Sequence, residues 1–185
     1  MKKNKTIILF LIKFFATYFI LSGIYSLYLH KTQDKVGSFS CSPITKQVAN
    51  HTQILAGILG YDSRIEQNEY ELSVKFFLND EHISNIVEGC SSISVIILFL
   101  AFIVAFSGSF KATFFYAIFG IFTIYLVNLL RILLISDLTQ KYPEYSFTLH
   151  DLVFPAVIYG YVFLLWVVWV RYFSNHNQLK NVKNN

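Results

Sequence analysis

Hydrophobic residues along this chain gather into four long blocks, and the polar stretch after the first block has a different period from all of them. Residues 7–29 form a run of 23 interrupted only by Lys13, enough at about 1.5 Å per helical residue to cross a hydrocarbon core of about 30 Å. A second block, 89–107, is strongly apolar over 93–106, and a third, 112–135, holds 24 residues with Arg131 as its one charge. The fourth, 151–170, is closed by Arg171. The pattern predicts an all-α polytopic membrane protein with four transmembrane helices in one membrane domain covering 1–185. A cleaved signal peptide fits the first block poorly, because the apolar run is long and no small-x-small site follows it.

The segment 30–88 leaves the apolar pattern without becoming a featureless linker. Ser42 and Pro43 offer a helix start, and Ile44, Val48, Leu55, Ile58 and Leu59 then recur on one helical face until Gly60, as in an amphipathic helix lying on a membrane surface. Further on, Tyr70, Leu72, Val74 and Phe76 alternate with Glu69, Glu71, Ser73 and Lys75, and Asn79 with Asp80 offers a turn. That period of two predicts a small β-hairpin. No repeat of 20 to 50 residues or low-complexity tract is evident.

Composition strengthens the membrane reading. A mean hydropathy of +0.50 with 55% hydrophobic and 14% charged residues gives more apolar surface than a soluble domain of this length can hide, so the lipid bilayer is the expected solvent. The net charge of +4 does not point to nucleic acid, since the basic residues are scattered and their clearest cluster is Lys2, Lys3 and Lys5 at the N-terminus. Loop charge instead sets orientation. Lys2, Lys3, Lys5, Lys111, Arg171, Lys180 and Lys183 stand in loops and tails without acidic residues, whereas 30–90 holds five basic and eight acidic residues. Both termini are expected in the cytoplasm and the long segment outside.

With that orientation the second and fourth helices begin on the outer side, near Cys90 and His150. Asn128 and Arg131 lie about 24 Å and about 28 Å along the third helix, at its outer end and on a shared face. A thiol at a helix N-terminus beside a guanidinium is expected to ionise more easily. An imidazole within reach takes its proton and later protonates a leaving amine, and Arg131 can steady an oxyanion. Each residue also has a plainer role open to it. Arg131 can snorkel to headgroup phosphate, His150 can be an interfacial side chain, and Asn128 can bond between helices. Cys90 can pack, or join Cys41 in a disulfide, because both fall on the oxidising side.

At these residues the sequence resembles the exosortase and archaeosortase family of multi-pass membrane cysteine proteases. The matching pieces are Glu88-Gly89-Cys90-Ser91-Ser92, Asn128-Leu129-Leu130-Arg131 and His150-Asp151. One departure is Ser92, at a place where many relatives carry Gly. The resemblance implies Cys90 as nucleophile, Arg131 as its electrostatic partner and His150 as the acid-base residue, with Asn128 in support and no cofactor or metal. It implies as partners exported proteins bearing a C-terminal sorting signal, made of a motif, a membrane span and a basic cluster, with an amine or glycan acceptor where transfer follows cleavage. It also implies a bacterial inner-membrane location with the site on the extracytoplasmic face. Two other classes stay open: a noncatalytic four-helix assembly factor or scaffold, in which Cys90 is dispensable, and a thiol-disulfide exchange protein, which the missing CxxC disfavours.

Overall fold

A computed structural model describes residues 2–33, 39–106, 108–148 and 152–173. The described chain is mostly helical. In order it runs α1 (Lys2–Thr32), α2 (Pro43–Ile58), β1 (Ser63–Gln67), β2 (Ser73–Leu78), β3 (Glu81–Val87), a 3-10 turn Glu88–Ser91, α3 (Ile93–Ala105) and α4 (Phe110–Lys141). There follow a second 3-10 turn Pro143–Tyr145, the single helical turn α5 (Ser146–Thr148), and α6 (Phe154–Val168), which continues as π-helix through Trp169–Phe173. The chain divides into two compact units, one of 1–25, 94–124 and 159–185, the other of 26–93 and 125–158.

The first unit is helical and aromatic. Lipid tails are as apolar as leucine, so helices in a bilayer are held by close packing and by polar groups bonded across the interface. Both devices occur here. The Tyr116 hydroxyl donates to the Leu165 carbonyl at 2.7 Å, and Trp169 Nε1 donates to the Phe106 carbonyl at 3.0 Å. Gly120 leaves room for a ring, since a Cβ there would lie 2.1 Å from Phe99 Cζ. Helices of spanning length and composition are Ile7–Thr32, Phe110–Lys141 and Pro155–Phe173. At 13 residues α3 rises about 20 Å, short of a hydrocarbon thickness of about 30 Å. The four expected spans are therefore three full-length helices and one shorter apolar helix. The helix anticipated from residue 89 begins at Ile93 because Glu88–Ser91 is a 3-10 turn and Ser92 takes φ 60°, which breaks the helical path.

The second unit is built on α2 and an antiparallel sheet. Helix α2 starts as its sequence suggests, with Ser42 Oγ accepting from the Thr45 N–H at 3.3 Å and Pro43 at the first helical position, where a missing N–H costs nothing. Its buried stripe is Thr45, Val48, Ala49, Thr52 and Ala56. The stripe keeps Val48 of the apolar face expected from the sequence, with Leu55 packed against the same core, but Ile58 and Leu59 of that face are exposed and the small Ala49, Thr52 and Ala56 pack in their stead.

The sheet has order β1-β2-β3, which corrects the all-α expectation with its hairpin. Strand β1, with Ser63 opposite Leu78, is the added member. The alternating run of the expected hairpin opens at Tyr70 in the sequence, but Tyr70 is exposed in a bend and the pairing of β2 with β3 begins at Ser73. Asn79 and Asp80 take φ 51° and 64°, the doubly left-handed two-residue turn that suits the twist of a hairpin. Val74, Phe76, Leu78 and Ile86 pack with Val48, Ala49 and Ala56 in a core that also holds Cys41, Cys90, Leu129, Ile132 and Leu133. At the far end of α4, Gln140 Nε2 donates to the Leu78 carbonyl at 3.1 Å and to Glu81 at 3.0 Å. Sheet, thiol turn and the C-terminal half of α4 thus share one core.

Candidate functional site

Cys90 sits in the 3-10 turn that leaves β3, and that turn is fixed from three directions. From below in the sequence, the Glu88 carboxylate accepts from Ser42 Oγ at 2.8 Å, Thr45 Oγ1 at 2.5 Å and Gln33 Nε2 at 3.3 Å. A carboxylate held at the start of α2 also meets the positive end of that helix. From above, Ser92 at φ 60° and ψ 2° reverses the chain into α3 while its hydroxyl donates to the Ser91 carbonyl at 2.6 Å. The left-handed region costs a residue with a Cβ about 1–2 kcal/mol. Glycine enters this region without that cost, so φ at Ser92 is of the kind that favours glycine.

The third support comes from α4. Asn128 Nδ2 donates to the Cys90 carbonyl at 2.7 Å, and Asn128 is completely buried. Its Oδ1 is buried with no hydrogen-bond partner among the described residues. One turn further along, Arg131 is only 5% exposed and acts electrostatically on the Cys90 thiol. Leu130 and Leu134 occupy the exposed side of the same helix. Burial at this level sets aside snorkelling for Arg131, whose head would otherwise reach out to headgroups.

Electrostatics at the thiol run against the expectation from a helix N-terminus. Burial pushes the Cys90 thiol above its ordinary value; a backbone hydrogen bond at Val87 and the Arg131 guanidinium pull it down, and Glu88 pushes it up again. Desolvation wins, since a buried thiolate loses its water before one cation can compensate. Cys41 is likewise raised by burial. Both cysteines are free thiols, so the disulfide alternative does not hold.

A cleft of about 470 Å³ opens beside Cys90. One wall is Ile83, Ser84, Asn85, Ile86 and Val87 of β3; the other is Ile132, Ile135, Ser136 and Thr139 of α4, with Phe147 at its margin. The α4 residues continue the face of Asn128 and Arg131 at helical spacing, a continuation readable in the sequence but not singled out there. Glu88, the first residue of the piece that holds Cys90, carries no role in the sequence reading and here anchors the turn. The structure brings Cys90, Asn128 and Arg131 together; His150 lies outside the described residues. Among the described residues no group of three His, Cys, Asp or Glu side chains is placed to hold a metal ion.

The family model for transmembrane exosortases matches residues 39–170, a stretch that contains all of this arrangement except Gln33. The chain belongs to the exosortase family. It is similar also to a probable archaeosortase E of Methanocaldococcus jannaschii, at 27% identity over 180 residues, covering 97% of this chain and 86% of that one. No solved structure matches it. Exosortase membership and the apolar helices together make the chain an integral membrane protein. In this exosortase Asn128 and Arg131 of the N-x-x-R pair stand on one buried face, with Asn128 bonded to the backbone of the residue that bears the thiol.

Proposed function

We propose that the chain is a membrane cysteine peptidase or transpeptidase that removes C-terminal sorting signals from exported proteins at the outer face of the bacterial inner membrane. The observation that carries this reading is the buried union of Cys90, Asn128 and Arg131 beside an open cleft. The reading takes 1–185 as a single membrane domain of four spans, α3 being the short one, with both termini inside and the site on the extracytoplasmic face.

Cys90 Sγ attacks the scissile carbonyl and the carbonyl oxygen becomes an oxyanion, which the Arg131 guanidinium stabilises. Burial keeps the thiol protonated at neutral pH, so its proton must leave as the bond to carbon forms; His150 takes it and returns it to the leaving amine as the C–N bond breaks. Phe147, three residues before His150 in the sequence, lines the same cleft as Cys90. Water or an amine acceptor then attacks the Cys90 thioester and takes the acyl group, the S–C bond breaks, and the proton of the attacking group returns to Sγ by way of His150. A scissile bond just outside a substrate's own membrane span reaches this depth without leaving the bilayer surface.

The test is precursor accumulation in cells. Cys90→Ala, Cys90→Ser and His150→Ala, each at matched membrane level, should leave an exported protein bearing motif, span and basic cluster uncleaved. Near-normal cleavage by Cys90→Ala overturns the peptidase and favours a noncatalytic assembly role. Cysteines placed at Asn50 and Asn79 should react with an impermeant reagent in intact cells, and one at Asn177 should not; the reverse pattern inverts the orientation.

A further inference from the structure

Side chains of consecutive strand residues point to opposite faces of a sheet. A cleft lying on one face would therefore be lined by every second residue. The cleft beside Cys90 is lined by five consecutive residues, Ile83 to Val87, so it runs along the edge of β3. In the order β1-β2-β3 that edge has no strand beside it among the described residues. An edge strand directs alternate N–H and C=O groups outward, where they template another extended chain. Across the cleft α4 supplies Ile132, Ile135, Ser136 and Thr139 on one helical face. Among the described residues, apolar and small polar groups thus form both walls.

From this geometry we infer that the substrate polypeptide binds as an added fourth strand on the edge of β3, its backbone paired with residues 83–87. Strand addition takes its affinity from main-chain hydrogen bonds and its selectivity from pockets for alternate side chains. Strand β3 ends at Val87 and Cys90 follows within the next turn, so a chain laid along the edge runs directly to the thiol. The inference rests on the peptidase reading and assigns the recognition step of that same site.

Disulfide trapping in membranes separates the two. The enzyme carries Cys41→Ser, Cys90→Ala and Asn85→Cys, and the probe is the precursor that accumulates in a Cys90→Ala strain, with single cysteines placed at ten successive positions ahead of its apolar span. Strand addition gives cross-link yields that alternate high and low with a period of two. A control cysteine at exposed Tyr70, which is not among the residues that line the cleft, gives none. A period near 3.6, or yields without periodicity, overturns the strand while leaving the peptidase intact. Failure of any precursor to accumulate removes the peptidase and the inference together.

Discussion

Asn128 on α4 donates its amide to the backbone carbonyl of Cys90 at 2.7 Å, so the side chain one turn before Arg131 sets the height of the thiol's own turn. Asn128→Ala leaves that buried carbonyl unsatisfied, at a cost of about 1–3 kcal/mol. Asn128→Asp keeps the shape but loses the donor. Both variants, in a Cys41→Ser background, should show faster Cys90 alkylation and a lower unfolding temperature in detergent. A change in cleavage with neither of these would mean that Asn128 acts on the substrate and not on the turn.

Ser92→Gly should stabilise the protein. The residue holds φ 60°, and glycine enters that region without the cost of about 1–2 kcal/mol carried by a Cβ. Extra backbone freedom in the unfolded chain offsets about half of this. Ser92→Val, which adds a branched Cβ at the same φ, should lower the unfolding temperature. Equal temperatures for the two variants would show that the strain is absent.

Alkylation of Cys90 should rise with pH past the ordinary thiol range, by about tenfold per pH unit until the raised pKa is reached. Burial is the main cause of the raised value and Glu88 adds to it. Removing that negative charge with Glu88→Gln therefore moves the alkylation profile to lower pH, and Arg131→Gln moves it to higher pH. Stability has the matching sign. Between the ordinary and the raised value the folded state holds the proton more firmly than the unfolded state, so stability is full at low pH and falls as pH climbs. A profile unmoved by Glu88→Gln would remove the carboxylate from the thiol's surroundings.

Arg131→Lys tests whether the guanidinium fork matters or only its charge. Lysine keeps the positive charge but cannot present a planar pair of donors. Loss of an oxyanion donor lowers turnover by about a hundredfold to a thousandfold. Precursor cleavage measured against a matched wild-type level should fall by that order, with the Cys90 alkylation profile nearly unchanged. Normal cleavage would reduce Arg131 to a source of charge.

The readable parts of this protein were those written in local chemistry. Long apolar runs gave the helices of spanning length, Ser42-Pro43 gave the start of α2, and Asn79-Asp80 gave the hairpin turn. The spacing of Asn128 and Arg131 put them on one helical face, which is the face α4 buries. What stayed hidden depended on partners far away in sequence. The face of α2 was legible only in part: Val48 and Leu55 meet the core, but Ala49, Thr52 and Ala56 pack there while the larger Ile58 and Leu59 stay exposed. Strand β1 lacks a clean alternating pattern and exists through its pairing with β2. The thiol's shift reversed sign because desolvation depends on burial in a core that residues 41, 76 and 133 help to close.

Helix α4 is 32 residues long, about 48 Å, roughly half again the thickness of the hydrocarbon. Arg131 stands about 32 Å from its first residue. On the proposed reading such a mast works as a caliper: the cutting chemistry is mounted at a set altitude, and a substrate tethered by its own span offers one bond at that altitude. Each residue of extended chain shifts the target by about 3.3 Å, more than an attacking sulfur can follow. Sorting signals would then be screened by the distance from anchor to bond before any side chain is compared.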